Sequence, residues 1–144
     1  FINSVLADAY ADGTLETTAE TYGVQAALVE QAASEFTASE SDSDVQYIKD
    51  KGKLVVGITE FEPMDYKDAN GEWIGFDADM AKLVAEKLGV AVEFQVINWD
   101  MKVEELDGKQ IDCVWNGMTL TDGVQAAMEC TSAYCENAQV VITK

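Results

Sequence analysis

The sequence predicts an α/β fold, a three-layer sandwich in which helices cover both faces of a mostly parallel sheet. Short apolar runs at 54–58, 90–97 and 111–115 have the length and β-branched content of buried strands. Stretches with helical apolar spacing lie between them, and the runs start 36 and 21 residues apart, room enough for a crossover and a return in the same direction. With 144 residues, 48% hydrophobic residues and a single proline, the chain suffices for one packed core, so one domain is expected.

In chain order, Ile2, Val5, Leu6, Ala9 and Tyr10 recur at helical spacing until Asp12-Gly13 stops the pattern. Thr14 opens a second helix over 15–22, ended by Gly23, and 26–33 is expected to add a further turn or two. Residues 34–44, SEFTASESDSD, are serine-rich and acidic with little to bury, and read as a linker. A brief helix over 45–50 and Gly52 lead into the first strand. A loop containing Pro63 and Asn70-Gly71 follows, then an apolar stretch at 73–76. Asp77 is expected to cap a helix whose buried side carries Met80, Leu83, Val84 and Leu88, and which Gly89 ends. After the second strand, Asn98-Trp99-Asp100 starts a loop, 103–106 makes a helical turn, and Asp107-Gly108 breaks it before the third strand. Thr121 and Asp122 can cap a short helix to about Met128, and 139–143 reads as a last β-branched strand.

Charge narrows the function classes. A formal net charge of −18 repels nucleic acid and anionic lipid, so no nucleic-acid partner is expected. Nine acids precede the first base, Lys49, and the chain has no arginine and no histidine. That removes the usual bidentate anion clamp and the usual general base and metal ligand, imidazole. Neither catalysis nor a metal or cofactor is expected, and no G-x-G-x-x-G follows a strand to hold a dinucleotide. No apolar run approaches the roughly 18 to 20 residues of a membrane span. Opening on Phe1, the sequence reads as a processed, excised or trimmed product, so compartment must be argued from elsewhere. Cys113, Cys130 and Cys135 lack the CxxC spacing of zinc or redox sites. They read as small buried thiols, or Cys130 and Cys135 as a disulfide in an oxidising compartment, or as metal or catalytic groups.

Three stretches carry a family resemblance: LVVGITEFEPMDYKDANGEWIGFDADMA at 54–81, with its G-F-D-x-D run at 75–79 opening a helix, IDCVWNGMTLTD at 111–122, and NAQVVITK at 137–144. Together they resemble the first lobe of the bacterial extracellular solute-binding proteins of family 3, the amino-acid-binding proteins of ABC uptake transporters. The resemblance implies one lobe of a type II periplasmic-binding-protein fold, and a non-enzymatic, extracytoplasmic protein, periplasmic or lipid-anchored. Its implied partners are a small amino acid or amine, the second lobe and a membrane permease. The segment 2–23 resembles the family's last two helices, which return from the second lobe, yet here it comes first. The expected organisation is therefore a single lobe in circularly permuted order: 1–33 the family's C-terminal helices, 34–44 a linker, 45–144 the N-terminal half. A slice across the junction of tandem modules, or an engineered or excised half with no binding of its own, fits the same order. The return strand that normally precedes these helices is missing, which would leave a sheet edge unpaired.

In such sheets ligands sit outside the carboxyl ends of the strands. The resemblance implies that Phe61 and Trp99 pack on the ligand side chain, that the Gly117 carbonyl accepts from its ammonium, and that Thr119 meets its carboxylate. Glu60 falls near a frequent acidic or polar contact, and Asn116 either bonds the ligand or pins its own loop. Asp77 and Asp79 are expected to be structural, through capping and hydrogen bonds. One departure stands out. The family pattern G-x-T-x-T-x-x-R ends on an arginine that grips the ligand carboxylate, whereas here Val124 follows Gly117-Met118-Thr119-Leu120-Thr121-Asp122-Gly123. Losing a bidentate charged pair removes about 2–5 kcal/mol unless something replaces it. With Glu60, Glu62, Asp65 and Asp122 nearby, a neutral or cationic ligand is expected rather than an anionic one.

Overall fold

The three apolar runs do form one parallel sheet. The structure is a computed structural model that describes residues 1–37, 43–137 and 141. Numbered in chain order, its helices are α1 (Ile2–Ala11), α2 (Thr14–Tyr22), α3 (Asp44–Lys51), α4 (Phe76–Leu88), α5 (Lys102–Asp107) and α6 (Asp122–Ala127). The strands are β1 (Lys53–Ile58), β2 (Tyr66–Lys67), β3 (Trp73–Ile74), β4 (Ala91–Val96) and β5 (Cys113–Val114). The main sheet has the order β4-β1-β5. β1 lies parallel to β4 from Lys53 opposite Ala91 to Ile58 opposite Val96, and parallel to β5 at Val56–Cys113 and Gly57–Val114. β2 and β3 form a separate antiparallel ribbon.

Period-2 alternation divides β1 between two cores. Leu54 and Val56 point into the larger one, with Met80, Val84 and Leu88 of α4 and with Leu6 and Leu15 of α1 and α2. Val55 points the other way, against Ile97 and Ile111, where Leu106 of α5 covers it. Helices on both faces thus follow from a central strand that is apolar throughout. Each fully buried aliphatic side chain contributes roughly 1.5–3 kcal/mol relative to exposure, and Leu6, Leu15, Val56 and Val84 are all fully buried. Gly89 ends α4 in the left-handed region at φ 75°, its N–H donating to the carbonyls of Ala85 and Glu86.

Several expectations are corrected. Residues 26–33 do not continue as a helix: a single 3-10 turn over Gln25–Ala27 gives way to extended chain, and Leu28 bridges Cys135 in antiparallel fashion. Backbone bonds from Val29 N–H to the Tyr134 carbonyl and from Glu136 N–H to that of Ala27 win over the weak helical pattern. Asp77 does not cap α4. The N-cap is Gly75, and the first-turn N–H groups of Phe76 and Asp77 donate instead to the Pro63 and Met64 carbonyls of the preceding loop. The third strand is shorter than 111–115, because only Cys113 and Val114 pair. Cys130 and Cys135 are not joined, and all three cysteines are free thiols. Burial pushes the Cys113 thiol up to about 12 and the Cys135 thiol up to about 11, which makes both poor nucleophiles. The expected linker keeps order at its start, where Phe36 packs edge-on against Phe1 with ring centres 5.2 Å apart. The rest of the linker over 38–42 and the expected strand at 139–143, save Val141, lie outside the described residues.

The foot of the sheet is held by Asp112, whose side chain is 4% exposed. It accepts from Lys51 Nζ at 2.6 and 2.7 Å and from the Val55 backbone N–H at 2.7 Å. Asp112→Ala leaves that N–H and the lysine without their acceptor and is expected to cost about 2–3 kcal/mol, read as a lowered urea midpoint. Asp112→Asn, which keeps an acceptor for Val55, should recover part of the loss; equal loss in both variants would count against the backbone contact.

Candidate ligand-binding site

Three loops meet at the carboxyl end of the sheet. β1 runs into Thr59, Glu60 and Phe61, β4 into Asn98 and Trp99, and β5 into Asn116, Gly117, Met118 and Thr119. Asn116 pins two of these loops together. Its side chain is 8% exposed, accepts from the Thr59 N–H at 3.1 Å and donates to the Thr59 hydroxyl at 2.9 Å. Both polar atoms of the amide are thereby used within the protein, so Asn116 is an internal brace here, one of the two roles expected for it.

Phe61 comes down on Gly117. A Cβ on Gly117 would stand 2.7 and 2.9 Å from two atoms of the Phe61 ring, so the ring lies where only a hydrogen fits. Phe61 is nevertheless 51% exposed. Thr119 is exposed beside it and its hydroxyl accepts from Asn137 Nδ2 at 3.0 Å. Phe61, Asn116, Gly117 and Thr119 line one end of a cavity of about 860 Å³ that runs the length of β5 to Asp112 and Tyr47 at the foot of the sheet. Gly117→Ala is expected to swing the Phe61 ring aside at a stability cost below about 1 kcal/mol, since an exposed ring can yield. Chemical-shift changes confined to 59–65 and 115–119, with an unchanged melting temperature, are the expected readout.

Two expected contacts are not part of that cavity. Trp99 packs inward against Val55, Ile97 and Ile111, and its ring faces Lys102 Nζ at 4.7 Å. Glu60 is exposed and lines no part of it. Val124, at the place of the family's arginine, lies in α6, where its N–H donates to the Thr121 hydroxyl at 3.2 Å.

Beneath the Phe61 loop lies a set of groups that motif reading only partly identifies. Asp77 is fully buried and accepts from the Tyr134 hydroxyl at 2.7 Å, and Asp79 accepts from the Tyr22 hydroxyl and from Lys82 Nζ at 2.8 Å. Both acids make the structural hydrogen bonds expected of them, though neither caps α4. Asp65 was expected only as a nearby loop charge, yet it is fully buried and neither carboxyl oxygen has a hydrogen-bond partner among the described residues. Burial, and then the charge of Asp77, push its carboxyl up to about 9. Burial pushes Asp77 up to about 7, opposed by donation from Tyr134 and by the nearby Trp115 indole N–H. Nothing in the sequence signals the burial of Asp65, because its neighbours Glu62, Lys67 and Asp68 read as surface loop.

A parallel sheet covered by helices on both faces, with Phe61, Asn116, Gly117 and Thr119 brought together by the loops at its carboxyl end, is the architecture of one lobe of a periplasmic-binding-protein fold. The chain belongs to the bacterial extracellular solute-binding proteins, family 3, whose family profile matches residues 54–144. It is 30% identical over 95 residues to the arginine-binding extracellular protein ArtP of Bacillus subtilis, covering 65% of this chain and 37% of that protein. It is 33% identical over 76 residues to the L-cystine-binding protein TcyJ of Escherichia coli, covering 52% and 29%. A probable amino-acid ABC transporter-binding protein of Haemophilus influenzae is 30% identical over 119 residues, covering 82% and 46%. The chain thus spans about a third to a half of these relatives' length. Among solved structures, the arginine-bound form of domain 1 from TmArgBP matches with TM-score 0.53 at 37% identity, covering 56% of this chain and 64% of that one. An ancestral cyclohexadienyl dehydratase matches with TM-score 0.54 at 34% identity, covering 64% and 37%. The relatives are thus mainly amino-acid-binding proteins of transporters, with a dehydratase ancestor among the structural matches.

Proposed function

We propose that this chain is the ligand-binding first lobe of an extracytoplasmic amino-acid-binding protein that serves an ABC uptake transporter. The observation that carries the reading is the half-exposed Phe61 side chain seated on Gly117, with Thr119 lining the same end of the cavity at the strand ends. It offers an aromatic platform for a side chain, a carbonyl for an ammonium, and a hydroxyl for a carboxylate. The ligand is a small neutral or cationic amino acid or related amine. Glu60, Glu62 and Asp122 repel an anionic side chain, Val124 supplies no cation, and similarity to arginine- and cystine-binding proteins agrees with that polarity. No chemistry is performed on it: the buried carboxyls Asp65 and Asp77 do not line the cavity, and the Cys113 and Cys135 thiols and Tyr134 hydroxyl that do have protons held more tightly than usual, which makes them poor nucleophiles.

The lobe is assembled in permuted order, 1–33 being the helices that in the family return from a second lobe. Packing of α1 and α2 on α4, and the Tyr22–Asp79 bond, support this origin. In the two-lobe form the second lobe would cover the exposed side of Phe61, and a permease would receive the ligand. Pockets normally bury about 70–90% of a small ligand, so the lone lobe should bind weakly. The test is a thermal-shift titration with arginine, lysine, histidine, cystine and glutamate, with and without a separately produced second lobe. Stabilisation by a cationic or neutral member, strengthened by the second lobe, is expected; a selective response to glutamate would overturn the ligand polarity, and a cooperative melt with no response under either condition would favour a half-domain without binding of its own.

A further inference from the structure

Among the described residues, the polar donors around the first turn of α4 go to acceptors other than Asp65 or, for the Trp115 indole N–H, to none. The Tyr134 hydroxyl is committed to Asp77 Oδ1, and Tyr22 and Lys82 to Asp79. The N–H groups of Asp77 and Ala78 go to the Met64 carbonyl. The Trp115 indole N–H, unpaired, lies by Asp77. What remains is three buried oxygens without donors: both of Asp65 and Oδ2 of Asp77. Two adjoining buried carboxylates with no cation against them among the described residues do not both stay ionised.

The groups that face this pocket are few. α4 contributes Asp77, with Asp79 and Lys82 paired to each other farther out, and Tyr66 of β2, next in sequence to Asp65, packs edge-on to Tyr22 of α2. The segment after α6 contributes Tyr134 and Cys135, both of whose protons burial and the Asp77 charge hold more tightly than usual. None of these brings a positive charge inward.

Asp65 is also mechanically tied to the site. Phe61 N–H donates to the Asp65 carbonyl at 2.6 Å and Asp65 N–H returns to the Phe61 carbonyl at 2.9 Å, closing a tight turn over 61–65. We propose that Asp65 keeps its proton at neutral pH and that this buried proton is a latch that holds the Phe61 ring on Gly117, so that losing it in alkali releases the ligand platform. The ionised carboxylate would have to reach water, and the two backbone bonds would carry Phe61 with it. This deepens the binding-lobe reading and rests on it only for the meaning of Phe61; the proton itself can be observed without any ligand.

The experiment is carboxyl carbon NMR of the 144-residue chain labelled at aspartate, from pH 4 to 10, with the Phe61 ring followed in parallel. One aspartate should remain protonated at pH 7 and titrate in alkali, disappearing in Asp65→Asn, and the Phe61 signals should move with the same midpoint. Asp77→Asn removes the neighbouring negative charge and should lower that midpoint by at least half a pH unit, which keeps the test available if the first variant does not fold. Aspartates that all titrate below pH 5, or Phe61 signals that stay fixed through the Asp65 titration, would overturn the latch.

Discussion

Gly75→Ala is expected to abolish the native fold or to lower its melting temperature by about 10 °C or more. Gly75 sits at φ 121°, a region L side chains rarely enter, and its Cα faces the Met64 backbone so closely that a Cβ would stand 2.2 Å from the Met64 carbonyl oxygen and 2.9 Å from the Asp65 nitrogen. Neither neighbour is the movable end of a side chain. The Met64 carbonyl already accepts from Asp77 N–H at 2.9 Å, so pushing it away also uncaps α4. Strain of this kind, with a lost cap, costs on the order of 3 kcal/mol or more. At roughly 3–4 °C per kcal/mol for a chain of this size, that gives the stated shift. Differential scanning calorimetry decides it: a variant melting within about 2 °C of the parent would mean that the 61–65 turn gives way, and that its contact with α4 is not what holds it.

That glycine shows where sequence reading reached and where it stopped. The G-F-D-x-D run at 75–79 marked the start of a helix, and the helix is there, but the pattern suggested an aspartate cap when the cap is supplied by backbone carbonyls from a loop ten or more residues earlier. Local rules rank side-chain caps; they have no access to a loop that folds back. Strand positions were legible because β1 is apolar at every position and must be covered on both faces. The failure at 26–33 has a different origin, since four alanines and a leucine satisfy a helical pattern as well as an extended one, and pairing with 134–136 decided it. In the site, Phe61, Gly117 and Thr119 were found through motif resemblance, and the structure brings them together. Trp99 rests on the same resemblance, and its turn inward to Val55, Ile97 and Ile111 depends on the small core beneath α5, which no local pattern reports.

Stability should fall as pH rises from about 4 to about 9, against the common pattern of acid denaturation. Asp65 and Asp77 have folded-state values raised to about 9 and about 7 from the ordinary aspartate value of about 3.9. Between its unfolded and folded values each group holds a proton in the native state that the unfolded state has lost. The linkage slope is therefore negative, up to about 1.4 kcal/mol per pH unit for each group. Both contribute between pH 4 and 7, Asp65 alone between 7 and 9, and neither above that; the full stabilisation is present only below about pH 4. Self-repulsion from a net charge of −18 acts in the same direction, so the slope by itself does not identify its source. Asp65→Asn separates the two. It changes the net charge by one unit, yet it removes the group whose ionisation the fold opposes and offers an amide N–H to the orphaned Asp77 Oδ2. The variant should be more stable than the parent at pH 8, and its melting temperature should be nearly flat between pH 7 and 9, where the parent's declines. Parallel pH profiles for the two proteins would assign the effect to surface charge and would place the Asp65 carboxyl in contact with water.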